Sequence, residues 1–207
     1  MKETLKPIHF VQYNRIRLQE NLERFLVEKF NLTDTFTEAQ RLYGEISTDK
    51  SLEDQIDLDN IHGWLESHLV ANEKRNAMLL KEILRTNDVE SLKSAYSEYG
   101  NLLGNSQKDA ASVAGKDEVY SYASSILLDG MPCDKVNTLI SSDDTKVEWH
   151  GQSDVHGKYL VEQGLEANLF YTLRESFLDS VLKTKGSYTY QVNASDDKIV
   201  NEIVIGA

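Results

Sequence analysis

The chain has 207 residues, 40% of them hydrophobic, and a formal charge of −12. That length can bury a core without metals or disulfides. The acid excess argues against nucleic-acid binding through phosphates, which needs a face rich in lysine and arginine. The single cysteine, Cys133, cannot form an internal disulfide, which suits a reducing compartment. Met1-Lys-Glu-Thr-Leu-Lys-Pro7 lacks the apolar core of a signal peptide, and no apolar run reaches bilayer-spanning length. The expectation is a soluble cytoplasmic protein, of a cell or of a virus-infected cell, that engages neither nucleic acid nor membrane.

Pro7 suits the first turn of a helix. After it Val11, Leu18, Leu22, Phe25, Leu26 and Phe30 form a stripe at helical spacing that ends near Asn31. Thr35-Phe-Thr-Glu38 has the form of a capping box and predicts a second helix ending near Gly44. Ser51-Leu-Glu-Asp54 opens a third and longest helix, expected to run to Leu84 with Gly63 as its weak interior position. Asn87-Asp88 caps a fourth, carrying Leu92, Tyr96 and Leu103 and closed by Gly104. The polar segment from Asn105 to Lys116 reads as a mobile connection. A fifth helix runs from Asp117 to Leu128 and stops at Gly130, and Pro132 starts a short sixth one.

Beyond residue 145 the hydrophobic period falls from 3.6 to 2, the signature of strands. Residues 146–150 and 155–161 alternate around the turn-like Gly151-Gln-Ser-Asp154, although 155–167 would also suit a helix. Asn168 opens an amphipathic helix bearing Leu169, Leu173, Phe177, Val181 and Leu182, stopped at Gly186. Residues 187–192 and 198–205 are two further strands, joined through Asn193–Asp197. The fold class is therefore α+β. A predominantly helical body, 1–140, is packed against a small antiparallel sheet unit, 141–207, ordered strand-strand-helix-strand-strand, or the two form one continuous domain.

Three groups of residues stand out chemically. On the third helix His68, Asn72 and Asn76 occupy the line of the core stripe, one turn apart. Buried polar groups there need hydrogen bonds, water or a ligand, so the three are a candidate ligand pocket. The plain alternative is that Leu69 and Leu80 carry the packing. His62 and Glu66 are four apart, but Glu66 and His68 diverge by about 200° on a helix, which does not match di-iron bundle spacing. Second, His150, Asp154 and His156 could meet across a tight turn as a metal site of two imidazoles and a carboxylate. Asp154 also suits a turn for its own backbone reasons. Third, Cys133 follows Met131-Pro132 at a helix start, and a buried or semi-buried structural cysteine is the expectation there.

Charge is uneven. Residues 1–32 balance at +2 and residues 33–73 at −8, so Glu53, Asp54, Asp57 and Asp59 could form an acidic docking surface. Tyr188 and Tyr190 lie on a terminal strand, and the apolar Ile203-Val204-Ile205 reads as a poorly protected edge, open to strand addition. The leading expectation is a non-enzymatic interaction or assembly protein, an adaptor or complex subunit that binds a protein partner or forms a homo-oligomer. The alternative is a small-molecule- or metal-binding enzyme using one of the histidine clusters. The residues specify no cofactor.

Overall fold

A computed structural model describes residues 4–107, 113, 115–195 and 198–206. Most of the expected mobile connection, and the Asp196-Asp197 centre of the last turn, lie outside them. The chain is α+β, with seven α-helices among the described residues and a four-stranded antiparallel sheet near the C-terminus. The helices are α1 (Pro7–Phe30), α2 (Thr33–Tyr43), α3 (Ile61–Ile83), α4 (Val89–Ser106), α5 (Lys116–Ile126), α6 (Gly157–Glu162) and α7 (Leu169–Lys183). The strands are β1 (Asn137–Ser142), β2 (Lys146–Gly151), β3 (Tyr188–Ser195) and β4 (Lys198–Ile205), in the order β1-β2-β4-β3. None of the described helices is long and apolar enough to cross a membrane.

The chain divides into two compact units, residues 1–83 with 126–135 and residues 84–125 with 136–207. The sequence suggests a boundary near residue 140. The structure instead groups α4 and nearly all of α5 with the sheet.

In the first unit Tyr13 and Ile16 of α1 pack with Ile61, Leu65 and Leu69 of α3, with Leu52 and Ile56 before it, and with Leu128 and Met131. The α1 stripe expected from apolar residues is only partly the buried one. Val11 is exposed and Leu18, Phe25 and Phe30 are half-buried, while Gln12, Glu20 and Glu23 are buried beside Ile16, Leu22 and Leu26. α3 begins ten residues later than the pattern suggested, after a 3₁₀ turn at Leu52–Asp54. The Asp57 carboxylate accepts from the N–H of Asp59 at 2.9 Å and Asn60 Oδ1 from that of Gly63 at 3.2 Å. Side chains that bind nearby N–H groups offer the backbone an alternative to helix, and here they set its start at Ile61. The expected capping box on α2 does not form either. α2 starts at Thr33, and Glu38 pairs with Arg41, Oε2 to Nε at 2.7 Å.

In the second unit the strand expected at 155–161 is the short helix α6, because the Asp154 carboxylate accepts from the N–H groups of His156 and Gly157, each at 2.9 Å. The partner of β2 is β1 instead, which escapes a periodicity search because its first four residues are all exposed. β4 pairs with β2 on one side and β3 on the other. Ile203-Val204-Ile205 is therefore interior to the sheet, not an edge. Its buried positions alternate, Ile199, Asn201 and Ile203, opposite Val147 and Trp149 of β2 and Tyr190 of β3. The Trp149 and Tyr190 rings stack at 5.9 Å, and the Tyr190 hydroxyl donates to Asn201 Oδ1 at 2.7 Å, satisfying the buried amide.

α4 lies against α7, and two glycines permit it. A β-carbon on Gly100 would collide with the Phe177 carbonyl oxygen, and one on Gly104 with the Thr184 hydroxyl and, at 3.0 Å, with the Val181 carbonyl. Gly104 is thus a packing residue inside α4 and not its terminus, since the helix continues to Ser106. Alanine in a helix gains about 1 kcal/mol over glycine, but overpacking costs about 1–3 kcal/mol. Against backbone the second term should win. Gly100→Ala is expected to lower the urea midpoint, and a raised midpoint would contradict the close approach.

Candidate functional site

Arg75 of α3 has no exposed surface. Its Nε donates to Glu23 Oε2 at 3.0 Å and its Nη1 to the Gly44 carbonyl at 2.9 Å, while Nη2 lies 3.7 Å from Glu20 Oε1, within ion-pair range. Asn72 Nδ2 donates to Glu23 Oε1 at 2.8 Å, and Glu20 Oε1 accepts from the Ser47 N–H at 3.0 Å and from its hydroxyl. Two carboxyl groups thus share one guanidinium out of water. Burial pushes the Glu23 carboxyl up to about 8; Arg75 and Asn72 pull against this, and the charge of Glu20 adds to it.

These partners fix the segment that follows α2. Gly44, at φ 111°, is held through its carbonyl by Arg75, and Ser47 by Glu20. Arg17 donates to the carbonyls of Ser47 and Thr48, and Gln55 Oε1 accepts from Thr48. Between this segment and the first turns of α3 opens a cleft of about 340 Å³, lined among others by Tyr43, Glu45, Gln55, Trp64 and His68. Small-molecule sites run from about 300 Å³ upward. The His68 ring stacks on Trp64 at 3.7 Å, and its Nδ1 is 2.9 Å from the Trp64 carbonyl oxygen. A carbonyl only accepts, so Nδ1 carries the proton and Nε2 is the acceptor of the neutral ring.

Of the suggested pocket residues, His68 lines the cleft. Asn72 belongs to the buried network, and Asn76 is half-buried and does not line the cleft. Glu20, Glu23 and Arg75 escaped the sequence reading, although Ile16, Glu20, Glu23 and Leu26 keep helical spacing and Arg75 follows Asn72 by one turn. The signal was a polar line on both helices at once.

His150, Asp154 and His156 are not gathered into a metal site. Among the described residues no group of three or more His, Cys, Asp or Glu side chains could hold one. His150 Nε2 contacts Glu148 Oε1 at 2.7 Å on β2. Asp154 Oδ1 also accepts from the Tyr171 hydroxyl at 2.8 Å. Burial raises its carboxyl, but the hydrogen bonds from Gly157, His156 and Tyr171 together outweigh that and hold it below the usual carboxylate range. His156 is buried, stacked on Phe170 at 3.8 Å, and its Nε2 accepts from Arg174 at 3.0 Å. Cys133 is exposed, contrary to expectation.

The sheet has two edges of different character. On β3 three outward N–H groups are taken. That of Tyr188 donates to the Gly186 carbonyl at 2.9 Å, Tyr190 to Asp179 Oδ1 and Val192 to Glu175 Oε2, the last two at 3.1 Å. β1, at the other end, pairs among the described residues only with β2 and carries Leu139 and Ile140, 47% and 50% exposed. No protein-family model, curated protein or solved structure matches this chain.

The raised Glu23 carboxyl has a stability consequence of definite sign. The folded state holds its proton up to about 8, whereas the unfolded chain releases it near 4.5. The contribution is complete below 4.5 and is lost as pH rises through 8. One extra bound proton corresponds to a slope of about 1.4 kcal/mol per pH unit within that window. Chemical denaturation of the native protein and of Glu23→Gln across this range should give curves that diverge, with the variant flatter. Parallel curves would place the proton elsewhere.

Proposed function

We propose that this chain is a non-enzymatic assembly protein that extends its sheet by pairing β1 with the same strand of a second copy. The observation that carries this reading is the asymmetry of the edges. β3 has the outward N–H groups of Tyr188, Tyr190 and Val192 occupied by the Gly186 carbonyl and two α7 carboxylates, whereas β1 is the sheet's other edge strand and carries two large exposed apolar side chains. Exposed edges recruit further strands unless charge, proline or a cover prevents it.

The chemistry of β1 favours a second copy. Asn137-Thr-Leu-Ile-Ser-Ser142 contains no charged residue, in a chain of net −12. Two copies meeting antiparallel there, with the two-fold axis at Leu139, set that residue opposite its own counterpart and oppose no like charges, in the isologous arrangement of a two-fold dimer. A bulge between Leu139 and Ser141 interrupts the pairing with β2, and bulges limit how far a sheet grows.

Size-exclusion chromatography with light scattering tests the reading. The native chain should run as a concentration-dependent dimer. Leu139→Lys with Ile140→Lys should run as a monomer with an unchanged far-UV circular dichroism spectrum. A native protein that stays monomeric at every concentration, or a double variant that still dimerises, overturns it.

A further inference from the structure

The cleft beside α3 has a chemistry of its own, independent of the β1 edge. Its lining contains the aromatic rings of Tyr43 and Trp64, the carboxylate of Glu45, the His68 ring with Nε2 as acceptor, and no lysine or arginine. An aromatic face with a nearby carboxylate attracts cations and gives nothing favourable to anions. The surrounding sequence adds to this field, since residues 33–73 carry ten acidic and two basic side chains. A cation already uses one of these rings: Lys74 Nζ lies 5.9 Å over the centroid of Tyr43. The wall formed by residues 44–48 is held by Arg17, Glu20, Gln55 and Arg75, so the cleft is preformed and a ligand need not order it.

We propose that this cleft binds an organic cation bearing N–H donors, a guanidinium or primary ammonium group, with the charge between Trp64 and Glu45 and an N–H donated to His68 Nε2. The same chemistry is offered by a free amine and by the arginine side chain of a peptide. Glu45 is exposed and Trp64 half-buried, so both can be changed without opening the core.

The test uses the full chain and the indole N–H signals in a ¹H–¹⁵N spectrum. There are two tryptophans, and Trp64→Phe identifies the signal that belongs to Trp64. The probes are agmatine, an acetyl-Gly-Arg-Gly amide peptide, and the same peptide with citrulline, which keeps the shape and removes the charge. Agmatine or the arginine peptide should shift the Trp64 signal saturably, with a dissociation constant of about 1 mM or tighter. Whichever of the two binds more tightly identifies the source. The citrulline peptide should bind at least about tenfold more weakly, and Glu45→Gln should weaken the cationic probes by a similar factor. Absence of saturable shifts with both cationic probes, or equal binding of the citrulline peptide, overturns the proposal. Unchanged affinity in Glu45→Gln also overturns it, provided the rest of that variant's spectrum superimposes on the native one.

Discussion

A guanidinium with no exposed surface must be answered from within, and Arg75 organises the first unit for that reason. Removing an ion from water costs several kcal/mol even after relaxation, so each partner becomes obligatory once the arginine is buried. Glu20 and Glu23 come from α1, Asn72 from α3, and the Gly44 carbonyl from the end of α2. Three helices and one connecting segment are thereby held in one arrangement by groups that tolerate little displacement. An apolar core of the same volume would allow those helices to slide with small penalty, because dispersion is not directional. The network makes the cleft wall rigid, and the same hydrogen bonds that remove its polar groups from water set its shape.

The second unit solves a different problem with similar means. A small sheet has two edges, and α7 closes one of them with Asp179 and Glu175 while burying its other face against α4. The closed edge needed a helix with carboxylates one turn apart facing a strand, and Asp179 is further fixed by Lys183, whose Nζ lies 2.6 Å from Oδ2. The local restraints on β1 include the bulge, the hydrogen bond from Gln152 Nε2 to Thr138 Oγ1 at 2.8 Å, and the Asp143 carboxylate, which accepts from Thr145 and Lys146 and tightens the hairpin to β2.

How legible this was in the sequence depended on whether pattern and burial coincided. The strands of β2, β3 and β4 were readable because Trp149, Tyr190 and Ile203 alternate with polar neighbours across a half-buried sheet. β1 was not, because an exposed strand has no burial to impose a period. The start of α3 and the identity of α6 were missed for one shared cause. Asp57, Asn60 and Asp154 bind nearby N–H groups, and that local competition is invisible to hydrophobic periodicity. The network around Arg75 was half visible. Asn72 was singled out as a polar residue on a core line, but its partner Glu23 lies 49 positions earlier, and only the packing of α1 on α3 brings the two together.

The acidic composition carries a related lesson about charge. Many of the acidic side chains counted in the formal charge of −12 are engaged within the chain. Glu20 and Glu23 are buried against Arg75, Asp88 caps α4 through the Ser91 N–H, Asp154 caps α6, and Glu175 and Asp179 cover β3. Such groups are acceptors placed where backbone donors or a buried cation require one, and their number says little about partners. The carboxylates relevant to recognition are those left on the surface beside a concave wall, and Glu45 is the one that lines the cleft. Net charge therefore sets a field of one sign around the protein, while a single carboxylate in a cleft shared with Trp64 and His68 would decide where that field selects the proposed cation.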